Sequence, residues 1–280
     1  MRVVRVMLVA LAAIGLQRAA AAQVEVGAEV TRDRAVWHFD APSSYDTAAL
    51  VPHFFEQEYT LDNVWVRGAA RYRAGVDWHT EAAVTPVREA RATDYDTFFN
   101  PGGVVWVAGT TGNANLHSVR LSQAMELGAW HGLAFEGGYR VRIDRADFLA
   151  GDKTDVRNGV LVARTTVFTR EYTTGQLHEV FVRAVHERAI SGRWTLRARA
   201  ELTPAAVNRL SIRLPDKYPG RTLLYRTTNA VMGGRLELTG GSPSWPVTLH
   251  IAADRSLNYS ATQWVRRGGV ATGIALGRAW

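Results

Sequence analysis

The chain has 280 residues, with 33 Lys and Arg against 26 Asp and Glu, and it contains no cysteine. The lack of cysteine excludes disulfides, thiolate metal ligands, a cysteine nucleophile and a lipid-modified N-terminal cysteine. The formal net charge is +7, but the arginines are spread along the chain rather than clustered, which argues against a nucleic-acid partner.

The first 22 residues have the pattern of a signal peptide. Arg2 and Arg5 precede the apolar run Val6–Leu16, and the small residues Ala19–Ala22 follow it. This order predicts export and cleavage before Gln23. The apolar run is shorter than the ~20 residues that a membrane-spanning helix needs, so we expect no transmembrane helix. Residues 23–280 are predicted to form one domain.

Apolar and polar residues alternate strictly over Leu133–Asp144, which predicts a strand whose two faces meet different surroundings. The faces carry Leu133, Phe135, Gly137, Tyr139, Val141 and Ile143 on one side, and Ala134, Glu136, Gly138, Arg140, Arg142 and Asp144 on the other. The segments Trp194–Leu202 and Tyr72–His79 repeat the pattern. If the apolar face meets lipid, arginines and carboxylates point into a barrel, where they must pair with one another.

The alternation alone leaves a second fold open. A soluble β-sandwich or lipocalin-like barrel would show the same period, with the apolar face turned inward and the charges in water. The signal peptide and the spacing of the turns favour the membrane. The fold predicted is therefore all-β: a transmembrane antiparallel up-and-down β-barrel of about ten strands, with long extracellular loops and short periplasmic turns.

Ten strands follow from the turn signals. Tight turns are predicted near Gly68–Arg71, Trp130–Gly132, Ser191–Arg193 and Gly240–Ser244, where Gly and Pro supply turn geometry. Five longer loops are expected between them. They are Ala41–Pro52, Arg88–Asn115, Ala146–Gly159, Leu210–Thr222 and Ser256–Gly269.

Aromatic residues near the predicted strand ends suggest an interfacial girdle. Trp65, Trp130 and Trp245 occupy such positions, and ordinary packing explains each of them equally well. The last predicted strand ends on Trp280 and contains Arg278 where an apolar residue is usual. A terminal aromatic is expected of the closing strand of an outer-membrane barrel.

The second long loop contains the candidate chemistry. Asp94 and Asp96 lie at positions i and i+2 of an extended segment, so both side chains point the same way and can hold and polarise a water molecule. Such a pair suits general acid–base work. An acidic turn that binds nothing has the same sequence, and no pair of histidines has metal-ligand spacing.

Several short motifs resemble the omptins, a family of outer-membrane proteases with ten-stranded barrels. Asp94–Asp96 is followed by Asn100–Gly102, and Tyr218–Gly220 is followed by Tyr225 and Arg226. Phe55–Tyr59 with Asn63–Gly68, and Gly137–Tyr139, are similar to the second and fifth omptin strands. The resemblance implies an active site at the extracellular rim of the barrel.

The resemblance is incomplete where the omptins place their base. In that family the Asp pair faces an Asp-x-His pair, whose positions here fall on Pro215 and Lys217, with Asp216 one place out. A lysine is protonated at neutral pH and cannot accept the proton of water. His38, two residues before Asp40, is the candidate replacement, and His117 is a further one. The predicted catalytic residues are Asp94, Asp96 and His38.

The omptins also hold lipopolysaccharide through a Tyr-x-Glu-x-Arg pattern. Here the pattern reads Tyr139, Val141 and Ile143, so only the tyrosine remains. Arg142 and Arg145 are left as candidate contacts to phosphate groups.

These observations predict an omptin-like outer-membrane barrel that lacks the full protease site and acts as a surface scaffold or adhesin. One alternative is a surface endopeptidase in which Asp94 and Asp96 activate water, and another is a narrow pore. The expected partners are outer-membrane lipid, with lipopolysaccharide as a candidate, and an extracellular peptide or protein at the loops. No cofactor, metal or nucleic acid is expected.

Overall fold

A computed structural model of the chain describes residues 22–40, 54–86, 89–100, 103–148, 151–157, 160–167, 170–216, 219–242, 244–258 and 264–279. Within these ranges no helix is long and apolar enough to cross a membrane. The strands are β1 Ala22–Asp40, β2 Phe54–Ala74, β3 Val76–Val84, β4 Glu89–Asn100, β5 Gly103–Trp130, β6 Leu133–Phe148, β7 Gly151–Arg157, β8 Val160–Val167, β9 Glu171–Ser191, β10 Trp194–Arg213, β11 Leu223–Ser242, β12 Trp245–Asn258 and β13 Trp264–Ala279.

The strands close into an antiparallel ring with ten positions. β13 pairs with both β12 and β1, and β3 pairs with both β2 and β5, so the sheet has no gap. β3 and β4 share one position, because both lie between β2 and β5 at different heights. The predicted ten-stranded barrel is confirmed, and β7 and β8 form a hairpin outside the ring.

The barrel has two unlike ends. At the turn end, β2–β3, β5–β6, β9–β10 and β11–β12 are joined by short turns. Three of the predicted turns lie there. The fourth prediction is wrong, because Gly68–Arg71 lies inside β2 and the chain reverses at Gly75, whose φ of 79° suits glycine.

At the opposite, loop end, two of the predicted loops, Arg88–Asn115 and Ala146–Gly159, are largely strands, and Ala41–Pro52 lies outside the described residues. Residues 89–100 form β4, residues 103–115 form the first part of β5, and residues 151–157 form β7. β5 is 28 residues long, whereas a barrel strand crosses the bilayer in about 9–11 residues. The sheet therefore continues well beyond any membrane it crosses.

The outer wall carries the apolar residues and the inner wall the charges, as the membrane prediction requires. In β6 the outward residues Phe135 and Tyr139 are exposed, while Glu136 and Arg142 are buried. This arrangement is the reverse of the soluble alternative. Other exposed apolar side chains of the outer wall are Val26, Val30, Leu121, Met125, Val180, Val182, Leu202, Met232, Leu236, Leu249, Ile251, Val270, Ile274 and Leu276.

A network of ion pairs fills the lumen, as predicted. Arg120 of β5 donates to Glu29 of β1 at 3.0 Å and to Glu81 of β3 at 3.1 Å. Arg71 of β2 lies 3.6 Å from Glu237 of β11. The contacts to Glu29 and Glu237 join strands that are not neighbours in the ring, whereas Glu81 lies on the neighbouring strand β3. Together they give these buried charges partners of opposite sign, which such charges require.

From Gly269 to Gly277 the inner face of β13 is made of small residues, which leaves room for this network. An added Cβ on Gly269 would lie 2.6 Å from Oδ1 of Asp33, and one on Gly273 would lie 2.8 Å from Nε2 of His250. Both neighbours are side chains of the lumen network. Small residues on one strand therefore compensate for large charged residues on β1 and β12.

The aromatic girdle is only partly as expected. Trp130 and Trp245 are exposed on the outer wall at the turn end, and Trp194 lies near them. The prediction is wrong for Trp65, whose side chain is buried in the lumen and donates to Oγ1 of Thr31 at 3.1 Å. Arg278 stacks over Trp245 at 5.3 Å, which places its charge at the aromatic rim.

Candidate functional site

The Asp94–Asp96 segment lies on β4 at the loop end. The register sets Asp96 beside Gln57 of β2, and Gln57 beside Trp37 of β1. Trp37 and Gln57 are buried inside the barrel. Because cross-strand partners share a face, Asp96 belongs to the inner wall, and its Oδ1 atom is buried. Asp94 occupies the next row, beside Tyr59.

His38 lies on the opposite face of the wall. Its neighbours Trp37 and Phe39 point inward and are buried, so the intervening side chain points outward. There Nδ1 of His38 lies 3.2 Å from Oε1 of Glu56, and the ring stacks on Trp264 with centroids 4.9 Å apart. The structure therefore does not bring His38 to Asp96.

None of the other described histidines stands beside Asp96. His79 and His250 are buried in the lumen but belong to the charged network, where Nε2 of His250 lies 3.0 Å from Oε2 of Glu29. Glu29 pairs with Trp65, eight residues along β2 from Gln57. The remaining described histidines lie, like His38, on the outer wall or at the turn end: His117, His131, His178 and His186. His53 lies outside the described residues.

Apolar side chains fill the inner wall around this position. Trp37 and Tyr59 belong to one buried cluster with Leu210 and Ile212 of β10, which come from the far side of the ring. The other buried members are Phe39, Leu116, Ala146 and Val265. The cluster packs across the lumen at the loop end and makes this part of the inner wall apolar.

One polar contact crosses the barrel above this cluster. The hydroxyl of Tyr59 donates to Oε1 of Glu171 on β9 at 2.9 Å, and the same oxygen accepts from Oγ1 of Thr173 at 3.0 Å. The loop end thus combines an apolar floor with carboxylates, an amide and a phenol. These groups can bind the side chains and backbone of a peptide.

A charged layer lies directly below the apolar cluster. Arg142 of β6 contacts Asp33 of β1 at 2.7 Å and Asp144 at 3.0 Å. Arg142 is therefore a lumen residue, and its predicted contact with lipid phosphate is wrong. Between the two layers lies a cavity of about 90 Å³, lined in part by Ala35, Leu61 and Leu177.

A larger cavity of about 570 Å³ opens at the turn end. Its lining carries both signs of charge, including Arg71, Arg197, Glu126 and Glu136. Within the described ranges no group of three or more His, Asp and Glu residues is placed to hold a metal ion. The cavity is a polar mouth of the barrel.

Basic residues without acidic partners lie on the outer wall above the apolar band. Arg209 of β10 and Arg226 of β11 are cross-strand neighbours, and both are exposed. Nearby, the hydroxyl of Tyr139 lies 2.6 Å from Nδ1 of His178. Neither arginine has an ion pair with a described carboxylate. Like charges placed opposite each other are unfavourable without an anion between them.

The comparison with solved structures identifies the fold. Over 93% of this chain and 97% of the other, the structure matches the outer membrane protease OmpT from Escherichia coli with a TM-score of 0.70, at 9% sequence identity. The chain has the omptin fold. At this identity the likeness concerns the fold alone. No family model matches the sequence, and no curated protein matches it.

Other bacterial outer-membrane barrels match at lower similarity. Neisserial surface protein A matches over 90% of this chain and 96% of its own, at 11% identity and a TM-score of 0.33. The translocator domain of the autotransporter NalP from Neisseria meningitidis matches over 97% and 92%, at 10% identity and a TM-score of 0.40.

Within the omptin fold, the loop between β10 and β11 is where the resemblance placed the second half of a protease site. Asp216 belongs to this loop, and its Oδ2 atom accepts a hydrogen bond of 3.1 Å from the backbone N–H of Arg170. Lys217 lies outside the described residues. The inward residues that precede this loop, Leu210 and Ile212, are apolar.

Sequence reasoning missed the inner-wall neighbours of Asp96. Gln57 lies beside Asp96 on β2, Tyr59 follows Gln57 on the same face and reaches Glu171 of β9, and no local motif joins these residues. The signal that was available is the alternation in β1 and β2, where Trp37, Phe39, Gln57 and Tyr59 fall on one face. Extending the period to the ends of these strands would have placed His38 outside.

Proposed function

We propose that this chain is an outer-membrane protein, exported with residues 1–22 as its signal peptide, that binds an extracellular peptide or protein without hydrolysing it. One observation carries the proposal. The inner wall beside Asp96 presents Trp37, Gln57 and Tyr59, and no imidazole among the described residues. In the arrangement that the omptin resemblance implies, an imidazole facing the Asp pair takes the proton of water, and such a base must lie within about 3 Å of that water or be joined to it by one water molecule.

The orientation of the barrel supports an extracellular ligand. Outer-membrane barrels keep short turns in the periplasm and long connections outside the cell. The four short turns of this chain lie at one end, and the extended strands with the β7–β8 hairpin lie at the other. The apolar cluster and the carboxylates of the loop end then face the medium.

The test is a cleavage assay on the folded barrel. The full mature chain is refolded in detergent with lipopolysaccharide and incubated with a mixed pool of quenched fluorescent peptides, beside its Asp96→Asn variant. We expect both proteins to match the protein-free blank. Because an amide replaces a carboxylate of equal size, the variant keeps the fold and removes only the charge.

Cleavage by the wild type that Asp96→Asn abolishes would overturn the proposal. It would establish the endopeptidase alternative, in which Asp94 and Asp96 hold the water. His38→Ala and His53→Ala would then identify the base. Cleavage that survives in Asp96→Asn would point to a contaminating protease, which a preparation with the mature chain left unfolded would reveal.

We further propose that the outer-wall patch formed by Tyr139, His178, Arg209 and Arg226 binds the phosphates of lipopolysaccharide. Two exposed guanidiniums side by side, next to two hydrogen-bonding rings, suit a phosphate group. Binding of lipopolysaccharide is expected to raise the unfolding temperature of the wild type. The Arg209→Ser/Arg226→Ser variant is expected to lose this rise.

Arg32 and Arg34 provide a matched control for this test. Both are exposed on the outer wall near the loop end, but Arg32 lies 3.5 Å from Asp62, and Arg34 donates to Glu58 at 2.7 Å. The Arg32→Ser/Arg34→Ser variant removes the same charge and should keep the response. An equal loss in both variants would show that only the overall charge attracts the lipid.

A further inference from the structure

β8 is an open edge of the sheet. Val160–Val167 pairs with β7 at every residue except Val162, and with no other strand in the described part of the chain. β7 in turn pairs with β5 at Val107–Thr111. The hairpin thus extends the barrel wall sideways, and one row of backbone N–H and C=O groups on β8 has no partner strand among the described residues.

This edge lacks most of the features that usually protect an edge strand, although its pairing with β7 has one irregularity, at Val162. Proteins block such strands with proline, lysine, bulges or a covering segment, because an open edge is a template for another chain. β8 reads Val-Leu-Val-Ala-Arg-Thr-Thr-Val, without proline or lysine and with one charged residue. Val160 is 64% exposed and Val162 is 53% exposed. These valines point away from any core.

We infer that β8 is a docking site for an extended peptide segment of a partner protein, which adds to the sheet as the next strand. Only another extended backbone satisfies a row of alternating donors and acceptors, so the occupant is a strand rather than a globular surface. The valines favour β-branched or apolar side chains at alternate positions of that peptide. Uncharged segments fit best.

A second copy of this chain fits the edge less well. Two barrels in one membrane are related by an axis along the membrane normal, and such an axis keeps the direction of every strand. β8 would therefore pair with itself in parallel, and an in-register pair would set Arg164 against its own copy. A parallel pair is also slightly less stable per residue. A foreign peptide has neither restriction.

The inference deepens the proposed function and rests on it, since it names how the extracellular ligand is held. It is separable from any chemistry at Asp96. The register runs from Asp96 through Ala108 and Asp155 to Ala163. A peptide on β8 would lie four strand spacings from β4, or about 19 Å, which is beyond the reach of the Asp96 carboxylate.

The experiment measures backbone hydrogen exchange of the refolded full chain by mass spectrometry. The probe is a synthetic octapeptide of alternating Thr and Val with a lysine at each end. Its control is the same peptide with every backbone nitrogen methylated, which cannot donate to a strand. We expect the probe to slow exchange at 160–167 at least tenfold and the control to leave it unchanged.

Unchanged exchange at 160–167 with millimolar probe would overturn the inference. Equal slowing by both peptides would also overturn it, because the contact would then need no strand pairing. The molecular mass of the recovered probe is measured in the same experiment. A cut probe would contradict the proposed function, and the exchange data would still decide separately whether β8 accepts a strand.

Discussion

Nη2 of Arg142 on β6 donates a hydrogen bond of 2.7 Å to Oδ2 of Asp33 on the opposite wall, in β1. Its Nε donates to Asp144 at 3.0 Å. One guanidinium therefore ties two walls together directly below the apolar cluster of the loop end. Arg142 thus lies at the boundary between the charged part of the lumen and the apolar cluster.

Replacing this arginine should be costly. Arg142→Met keeps an unbranched apolar stem but removes the guanidinium, so Asp33 and Asp144 lose their shared cation. We expect a loss of about 3 kcal/mol in the free energy of unfolding, measured by urea titration of the refolded barrel. The Asp33→Asn/Arg142→Met/Asp144→Asn variant should recover most of it. An unchanged midpoint in Arg142→Met would show that water already satisfies both acids.

The lipid-facing band predicts a dependence on depth. Leu236 and Leu224 are both outward and exposed, at 50% and 76%, but Leu224 lies near the loop end of β11, beyond Arg226. Leu236→Arg should reduce stability in lipid bilayers by about 2–4 kcal/mol, and Leu224→Arg by about 0–1 kcal/mol. Equal losses would contradict the position assigned to the band.

The small inner face of β13 makes Gly273 sensitive to one added methyl group. A Cβ there would lie 2.5 Å from the carbonyl oxygen of Ala28 and would also meet His250. We expect Gly273→Ala to cost about 1–3 kcal/mol through overpacking. Gly175→Ala is the control, because its nearest neighbour would be 3.9 Å away. Thermal unfolding should separate the two variants, and similar midpoints would refute the crowding.

Tyr59→Phe should loosen the loop end without unfolding the barrel. It removes the hydroxyl that reaches Glu171 at 2.9 Å, a contact to a charged group worth about 1.5–3 kcal/mol. Hydrogen exchange should become faster at Glu171–Thr174 and stay unchanged around Phe181. Faster exchange throughout β9 would mean that the contact supports the whole wall.

The transmembrane part of the fold was predictable, because lipid on one side and a polar lumen on the other impose a period of two. Glu136 and Arg142 in β6, and Arg199 in β10, lie on the face that this period assigns to them. The same alternation explains why the turn at Gly75 was not predicted. Tyr72 pairs with Trp78, so the alternation continues through the turn and hides it.

The loop end was less predictable, because above the membrane both faces of a strand can be polar. The segment Glu89–Asn100 shows no contrast between faces, and its charges suggested a loop although it is β4. The candidate site shares this difficulty. The spacing of Asp94 and Asp96 was enough to predict that they face the same way. That His38 points outward follows only from the inward position of Trp37 and Phe39.

The small residues on the inner face of β13 bear on how the ring closes. This strand joins β12 to β1 and presents Gly269, Ala271, Gly273, Ala275 and Gly277 to the lumen. Along this stretch, which excludes Arg267, the strand can enter the seam without carrying bulky charged groups past side chains that are already paired. The final docking step then needs little rearrangement or loss of bound water, which should make assembly of this barrel tolerant of a crowded interior.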